Sequence, residues 1–321
     1  MEQNTLRPAP NLVFVIPCYN EEETLPTTME RLGELLAGLK ARGQVDSASG
    51  VCYVDDGSKD GTWRLIEERH KLDPSCRGVK FAGNAGHQNA VWAGMDAARQ
   101  WNADCAISMD ADLQDDPGVA GEMIERYREG CEIVYGVRDD RSSDTPFKRW
   151  TARAFYALMS KLGVNVIPDH ADYRLVSRAA LQALESFDER NLYLRGLFPV
   201  MGFKSAKVYY KRRAREHGQS KYPLTRMIAL AWQGVTSTSA APLRMAGFLS
   251  FLCALLAIGL CCLSLYKYIM GEVIQGWTSL VIVVLFLGSA QLFCLSIIGE
   301  YIAKIFTEVR HRPRYIIEKY L

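Results

Sequence analysis

Two long apolar stretches near the carboxyl end, residues 246–269 and 278–298, set the first limit on what this chain can fold into. The first carries one charge, Lys267, near its end, and the second carries none. At 1.5 Å per residue the first is about 36 Å long, enough to cross a hydrocarbon core of roughly 30 Å with some tilt. Globular helices seldom run so far without a charged face, so two membrane spans are expected in preference to two buried core helices. The flanks orient the pair. Lys221, Arg226 and Arg244 precede it, Lys304, Arg310, Arg312 and Arg314 follow it, and residues 271–277 between the spans hold neither Lys nor Arg. Basic flanks stay on the cytoplasmic side, so both termini are expected in the cytosol and the connecting loop outside. Just ahead of the spans, Leu224, Met227, Ile228, Ala231, Trp232 and Val235 recur at helical spacing beside basic residues. That stripe fits a helix lying in the membrane surface better than one packed in a core.

The remaining sequence reads as a soluble domain in which apolar residues alternate with charge. The formal net charge of +2 is too small for a nucleic-acid binder. None of the nine cysteines forms a C-x-x-C pair or a zinc-spaced cluster, which points to free thiols in a reducing compartment. The amino terminus is polar and carries no apolar leader, so the soluble part is expected to remain cytosolic.

Within that domain, apolar runs at residues 12–16, 51–54 and 105–109, and a strand-like Gly-Val-Lys-Phe segment at 78–81, each precede a polar cluster and then a helical segment. Alternating strands and helices predict an α/β fold with a mainly parallel sheet. Open sheets of this kind bind ligands at the carboxyl ends of their strands. Four polar clusters are therefore expected to meet in one cleft: Pro17-Cys18-Tyr19-Asn20-Glu21, Asp55-Asp56-Gly57-Ser58, Asn84-Ala85-Gly86-His87 and Asp110-Ala111-Asp112-Leu113-Gln114. Asp110 and Asp112 are two hard oxygen ligands flanking one residue, suited to Mg²⁺ or Mn²⁺ bridging a diphosphate, and Gln114 can add an oxygen. Such a metal would offset charge on a nucleoside-diphosphate leaving group. Of Asp55 and Asp56, one suits the N-cap of the following helix, leaving the other to accept hydrogen bonds from a nucleoside. Tyr19 offers an aromatic ring. The five histidines have no ligand spacing, although His87 can line the cleft.

In this order the motifs resemble those of family 2 glycosyltransferases, whose fold is a nucleotide-diphospho-sugar domain of the A type (GT-A). With two carboxy-terminal spans, the resemblance narrows to polyprenyl-phosphate glycosyltransferases, among them dolichol-phosphate mannose synthases and bactoprenol glucosyltransferases. Gly86-His87-Gln88-Asn89-Ala90 and Arg312-Pro313 look more like the bactoprenol branch. The resemblance implies nucleotide-sugar contacts at Pro17, Tyr19, Asn20, Glu21, Val54, Asp55, Asp56, Ser58, Asn84, Asp110 and Ala111. It implies metal ligation at Asp112 and Gln114 beside Asp110. Phosphate or acceptor contacts are implied at Arg138, Arg149, Arg215, Ser220 and Lys221, with Arg153 a weaker candidate. Asp172 stands where that family often has an acid near the reacting centre.

The resemblance also implies a phosphate acceptor. A phosphate monoester has a second pKa of about 6 and is largely dianionic at neutral pH, so it needs cations and positioning rather than a base. Asp172 is accordingly expected to orient more than to deprotonate. The expected reaction is inverting transfer of a hexose from a nucleotide-sugar, with UDP-glucose favoured, to undecaprenyl phosphate. GDP-mannose or another UDP-sugar such as UDP-GlcNAc would serve a same-class alternative, and a non-catalytic membrane scaffold is the alternative of another class. A processive synthase fits less well, because no Q-x-x-R-W motif is present. The expected parts are a cytosolic catalytic domain over 1–221, interfacial helices over 222–243, a membrane hairpin over 244–303 and a basic cytosolic tail over 304–321. A homotetramer is compatible with the resemblance.

Overall fold

The computed structural model describes residues 6–112, 114–138, 170–190, 192–211, 236, 240–271 and 276–321. They fall into two units. One takes in the described residues up to 211 together with 312–321, and the other takes in those from 236 to 311.

The first unit is organised by β1 (Leu12–Cys18), whose seven residues are all buried. A continuous apolar run, rather than an alternating one, is what a strand needs when helices cover both faces of its sheet. Leu12, Phe14 and Ile16 project to one face, where they join Leu25, Leu32 and Leu36 of α1 (Leu25–Ala41), Ile66 of α2 (Thr62–Leu72) and Met123 of α4 (Ala120–Arg128). Val13 and Val15 project to the other face. There they meet Ala90 and Val91 of α3 (His87–Gln100), Leu181 of α5 (Arg178–Leu184) and Leu197 of α6 (Leu194–Val200). Each fully buried side chain of this size contributes roughly 1.5–3 kcal/mol. The approach of α3 to β1 is close enough that a Cβ added at Gly94 would lie 2.2 Å from Cγ1 of Val15, so only glycine fits there.

The remaining strands are β2 (Gly50–Asp55), β3 (Cys76–Phe81), β4 (Cys105–Ser108), β5 (Ile133–Arg138), β6 (His170–Ser177), β7 (Ser205–Tyr210) and β8 (Ile317–Tyr320). They form one sheet in the order β7-β5-β6-β4-β1-β2-β3-β8. The block β4-β1-β2-β3 is parallel, as the sequence predicts, with Val15 opposite Ser108 and Cys18 opposite Asp55. The carboxyl ends of β1, β2 and β4 therefore open on one edge. β6 runs antiparallel between β4 and β5, and this brings the Asp172 backbone to the same edge, where its carbonyl accepts a hydrogen bond from Ser108 Oγ at 2.6 Å.

β8 is an addition the sequence does not foretell. Residues 317–320, on the carboxyl side of both apolar stretches, pair antiparallel with β3. Tyr315 stacks on Phe81 with ring centroids 4.7 Å apart, and the Arg314 guanidinium lies 4.1 Å from the ring centre of Trp92. Residues 312–321 thus belong to the sheet unit and are not a loose tail.

The second unit consists of α7 (Ala241–Ile269) and α8 (Trp277–Val309), 29 and 33 residues long. Two windows, Pro242–Leu260 and Ile282–Val309, are long and apolar enough to cross a membrane. Only 6% of each window is buried within the protein. Large side chains such as Phe248, Phe251, Leu292 and Phe293 point outward, which is the pattern of a helix whose solvent is lipid. Ser250 and Cys294 join the two helices at 3.6 Å. The amphipathic segment expected over 222–243 lies outside the described residues, apart from residue 236 and the start of α7.

Candidate active site

Four loops leave the carboxyl edge of the parallel block. After β1, Tyr19 is 44% exposed, while Asn20 takes a left-handed conformation with φ of 53°. The Asn20 backbone amide donates to Ser58 Oγ, and its side-chain oxygen accepts from the Lys59 amide, both at 2.9 Å. The Glu21 amide donates to Thr62 Oγ1, and its carboxylate accepts from Thr24. Asn20, Glu21 and Ser58 therefore lock the first two loops together. Pro17 and Val54 sit opposite each other, buried within β1 and β2.

At the end of β2, Asp55 is fully buried and accepts from the Ser58 amide at 3.0 Å. Asp56 accepts from the amides of Ala85 and Gly86, tying the second loop to the start of α3. Burial raises the Asp56 carboxyl above the usual range despite these two amides. Neither aspartate caps α2, which removes the capping alternative for them. That turn is held instead by Asp60, which accepts from the Thr62 amide and hydroxyl. Gly57, at φ +69°, brings the β2 loop so near the β3 loop that an added Cβ would lie 2.5 Å from the Gly83 carbonyl carbon. Asn84, in that third loop, is exposed.

Beyond β4, the Asp110-Ala111-Asp112 turn is pinned by Thr28 of α1, whose hydroxyl donates to the Ala111 carbonyl at 2.6 Å. Asp110, 35% exposed, lies 3.6 Å from His87 Nε2, and the same nitrogen is 3.7 Å from the Asp172 carboxylate. Burial, then the negative charge of Asp172, Asp115 and Asp112, push the Asp110 carboxyl up to about 6 against the pull of His87. Asp112 accepts from the Gln114 amide at 3.2 Å, and Gln114 is buried with its side-chain nitrogen unpartnered. Asp115, next along, is also buried and receives Arg138 at 3.1 Å and the Tyr210 hydroxyl at 2.6 Å. Burial opposes the Arg138 charge, but Asp115 and Tyr210 outweigh it and raise its pKa. Arg138 thus lies beside the acidic turn, paired with a buried acid.

Asp172 is gripped from two sides. Arg174, with no exposed surface, donates to it at 2.5 Å, and Arg195 of α6 approaches with Nε at 3.2 Å and Nη2 at 3.1 Å. Burial alone would raise the Asp172 carboxyl; Arg174 and Arg195 more than reverse this and hold it far below the usual range. Asp172 is therefore ionised throughout the neutral range and is a weak proton acceptor.

The donor chemistry at Asp110, Asp112 and Gln114 fits a hard divalent cation. Neighbouring carboxylates raise one another's pKa until a cation compensates them, and the oxygens available are carboxylate and amide oxygens. Among the described residues no three His, Cys, Asp or Glu side chains form a metal cage. A cation there would take its other ligands from phosphate oxygens or water, as Mg²⁺ commonly does.

The structure thus gathers Asp110, Asp112, Gln114, Arg138 and Asp172 around one turn, and Asp56 braces the loop that presents His87. Arg149, Arg153, Arg215, Ser220 and Lys221 lie outside the described residues. Sequence reasoning missed Arg195, Asp115 and Thr28. The signal for Arg195 was a lone charge in the otherwise apolar Leu194-Arg195-Gly196-Leu197-Phe198 run.

The mainly parallel sheet that carries this acidic turn at a strand end is a GT-A fold. The chain belongs to glycosyl transferase family 2, whose model matches residues 13–185. It is 47% identical over 313 residues to the glycosyltransferase YkoT of Bacillus subtilis, covering 96% of this chain and 91% of that protein. It is 34% identical over 308 residues to a bactoprenol glucosyl transferase of Shigella phage SfII, covering 95% and 97%. Among solved structures, the mannosyltransferase PcManGT of Pyrobaculum calidifontis with GDP-Man and Mn²⁺ aligns with a TM-score of 0.45 and 16% identity, covering 92% and 89%.

Proposed function

We propose that the protein transfers a hexose, with UDP-glucose the favoured donor, onto the phosphate of a polyprenyl lipid such as undecaprenyl phosphate at the cytoplasmic membrane face. The observation that carries this reading is the state of Asp172. Asp172, which shares His87 with Asp110, is tied to two arginines and too acidic to take a proton from a sugar hydroxyl, whereas a dianionic phosphate acceptor needs no deprotonation. Two long apolar helices with outward-facing side chains and relatives named for bactoprenol glucosyl transfer support the same acceptor class.

In this reading, Tyr19 stacks on the nucleoside base, and Asp110, Asp112 and Gln114 hold a divalent cation, Mg²⁺ or Mn²⁺. That cation, when bound, supplies charge stabilisation to the diphosphate leaving group. Arg138 and the basic residues Arg149, Arg215 and Lys221, with Ser220, hold phosphate oxygens. Asp172 and its arginines fix the far side of the cleft so that attack occurs in line and the anomeric configuration inverts. The apolar pair spans the bilayer twice with both ends cytosolic, residues 222–243 lie at the interface, and assembly into a homotetramer is compatible.

The test is incubation of the full chain in micelles with Mn²⁺ or Mg²⁺, undecaprenyl phosphate and radiolabelled nucleotide-sugars in turn. Lipid-extractable label from UDP-glucose is expected. Label only from GDP-mannose or UDP-GlcNAc would move the donor assignment. No product from any donor would favour a non-catalytic scaffold.

A further inference from the structure

We infer that Arg195 is a phosphate-binding residue of the transfer site, held in readiness by Asp172. This rests on the sugar-transfer reading above. Charge count is the first reason. Arg174 and Arg195 share a single carboxylate, which leaves one positive charge uncompensated within the trio. The two arginines are not equivalent. Arg174 is sealed, donates to the Leu194 carbonyl at 3.3 Å and lies 4.8 Å from the centre of the Phe198 ring, so it serves the core. Arg195 keeps 40% of its side chain exposed.

Direction is the second reason. Asp172 receives Nε and Nη2 of Arg195, a two-point fork that sets the guanidinium plane and leaves the remaining N–H groups for another acceptor. The same carboxylate lies 3.7 Å from His87 Nε2, which in turn is 3.6 Å from Asp110. Arg195 is therefore two side chains away from the acidic turn and contributes to its electrostatics.

Rigidity is the third reason. Gln88 Oε1, next to His87 in α3, accepts from the Leu194 amide at 2.8 Å, so the first turn of α6 is fastened to the helix that carries His87. A surface arginine serving only solubility has no need of a buried carboxylate, a second arginine and a glutamine to aim it. A planar fork prepared in this way matches phosphoryl oxygens. Those oxygens come either from the donor diphosphate or from the acceptor monophosphate, and Asp172 acts as the positioning group for either.

The experiment compares the full-length protein in micelles with Arg195→Gln and Arg195→Lys. Titration calorimetry measures the affinity for UDP with Mn²⁺ and, separately, for a short-chain prenyl monophosphate, and thermal midpoints monitor folding. Arg195→Gln is expected to weaken one of the two ligands by at least about tenfold. Arg195→Lys retains charge opposite Asp172 but loses the fork, and is expected to weaken the same ligand less. A KM rise for the matching substrate should accompany each loss. Weakened UDP assigns the donor diphosphate, and weakened prenyl phosphate assigns the acceptor. If Arg195→Gln fails to fold, Arg195→Lys carries the decision. Unchanged affinity for both ligands in a folded variant overturns the assignment while leaving the transfer reading intact. Wild-type protein that binds these ligands but transfers no sugar removes the transfer reading and leaves Arg195 to be judged on affinity. Wild-type protein that binds neither overturns both.

Discussion

Asp112 and Asp172 are both acids at the same sheet edge, yet their surroundings give them opposite consequences on removal. Asp112 lies in a turn after β4 whose backbone is held independently by Thr28, so the core does not depend on its carboxylate. Asp112→Ala is expected to lower turnover by about 100-fold or more while moving the thermal midpoint little, as checked by transfer assays across Mn²⁺ concentrations and circular dichroism. Asp172→Asn strips the sealed Arg174 of its counter-charge, and breaking a buried pair from one side costs about 3–5 kcal/mol. Its depressed pKa also sets a pH dependence. A carboxyl whose folded value lies below its unfolded one stabilises the protein above the ordinary aspartate range and loses that contribution as pH falls towards the folded value. Wild type should therefore lose stability relative to Asp172→Asn below about pH 4, and show no change from this group between pH 6 and 8. Thermal denaturation of both proteins across pH tests the sign. The acids were legible in the sequence because strand ends are local features, each a few residues from an apolar run. Arg195 was not, because only the packing of α6 against α3 carries it to Asp172, 23 positions earlier in the chain.

At the scale of elements, legibility followed burial only in part, because β5 is buried from Ile133 to Val137 and yet did not stand out in the sequence. β1, β2 and β4 read as continuous apolar runs because both faces of these central strands are covered, whereas β3 carries Arg77 and Lys80 at half-buried positions. β7 escaped notice because its pattern is mostly exposed, and β8 because Ile317-Glu318-Lys319-Tyr320 offers little apolar surface. β8 earns its place through long-range pairing: Lys80 meets Glu318, 238 positions away, and Lys319 meets Glu67. Exposed ion pairs of this kind add little, so the stacking of Tyr315 on Phe81 and the backbone ladder carry the attachment. Tyr315→Ala is expected to cost about 1–3 kcal/mol and to speed amide exchange at the carboxyl end of β3 and at Ala82 first. Hydrogen exchange read by mass spectrometry checks this. Unchanged protection there would mean that the strand is held by other contacts.

At the scale of the whole molecule, the sheet strands β1–β7 precede both apolar helices and β8 follows them. If the pair crosses the bilayer, the chain must cross an even number of times for residue 317 to rejoin β3. Tags at the two ends should therefore be accessible from the same side of sealed vesicles, and protection of one with exposure of the other would break the two-span reading. The placement of β8 has a further consequence for how the protein is made. During synthesis the sheet can be almost complete, yet β3 keeps an open flank until residues 317–320, which follow both apolar helices in the chain, have been made. A chain in which β8 fails to dock would present that unpaired flank, with its free backbone amides, to proteases and to other chains. Completion of the sheet is in this way tied to residues that follow both apolar helices in the chain.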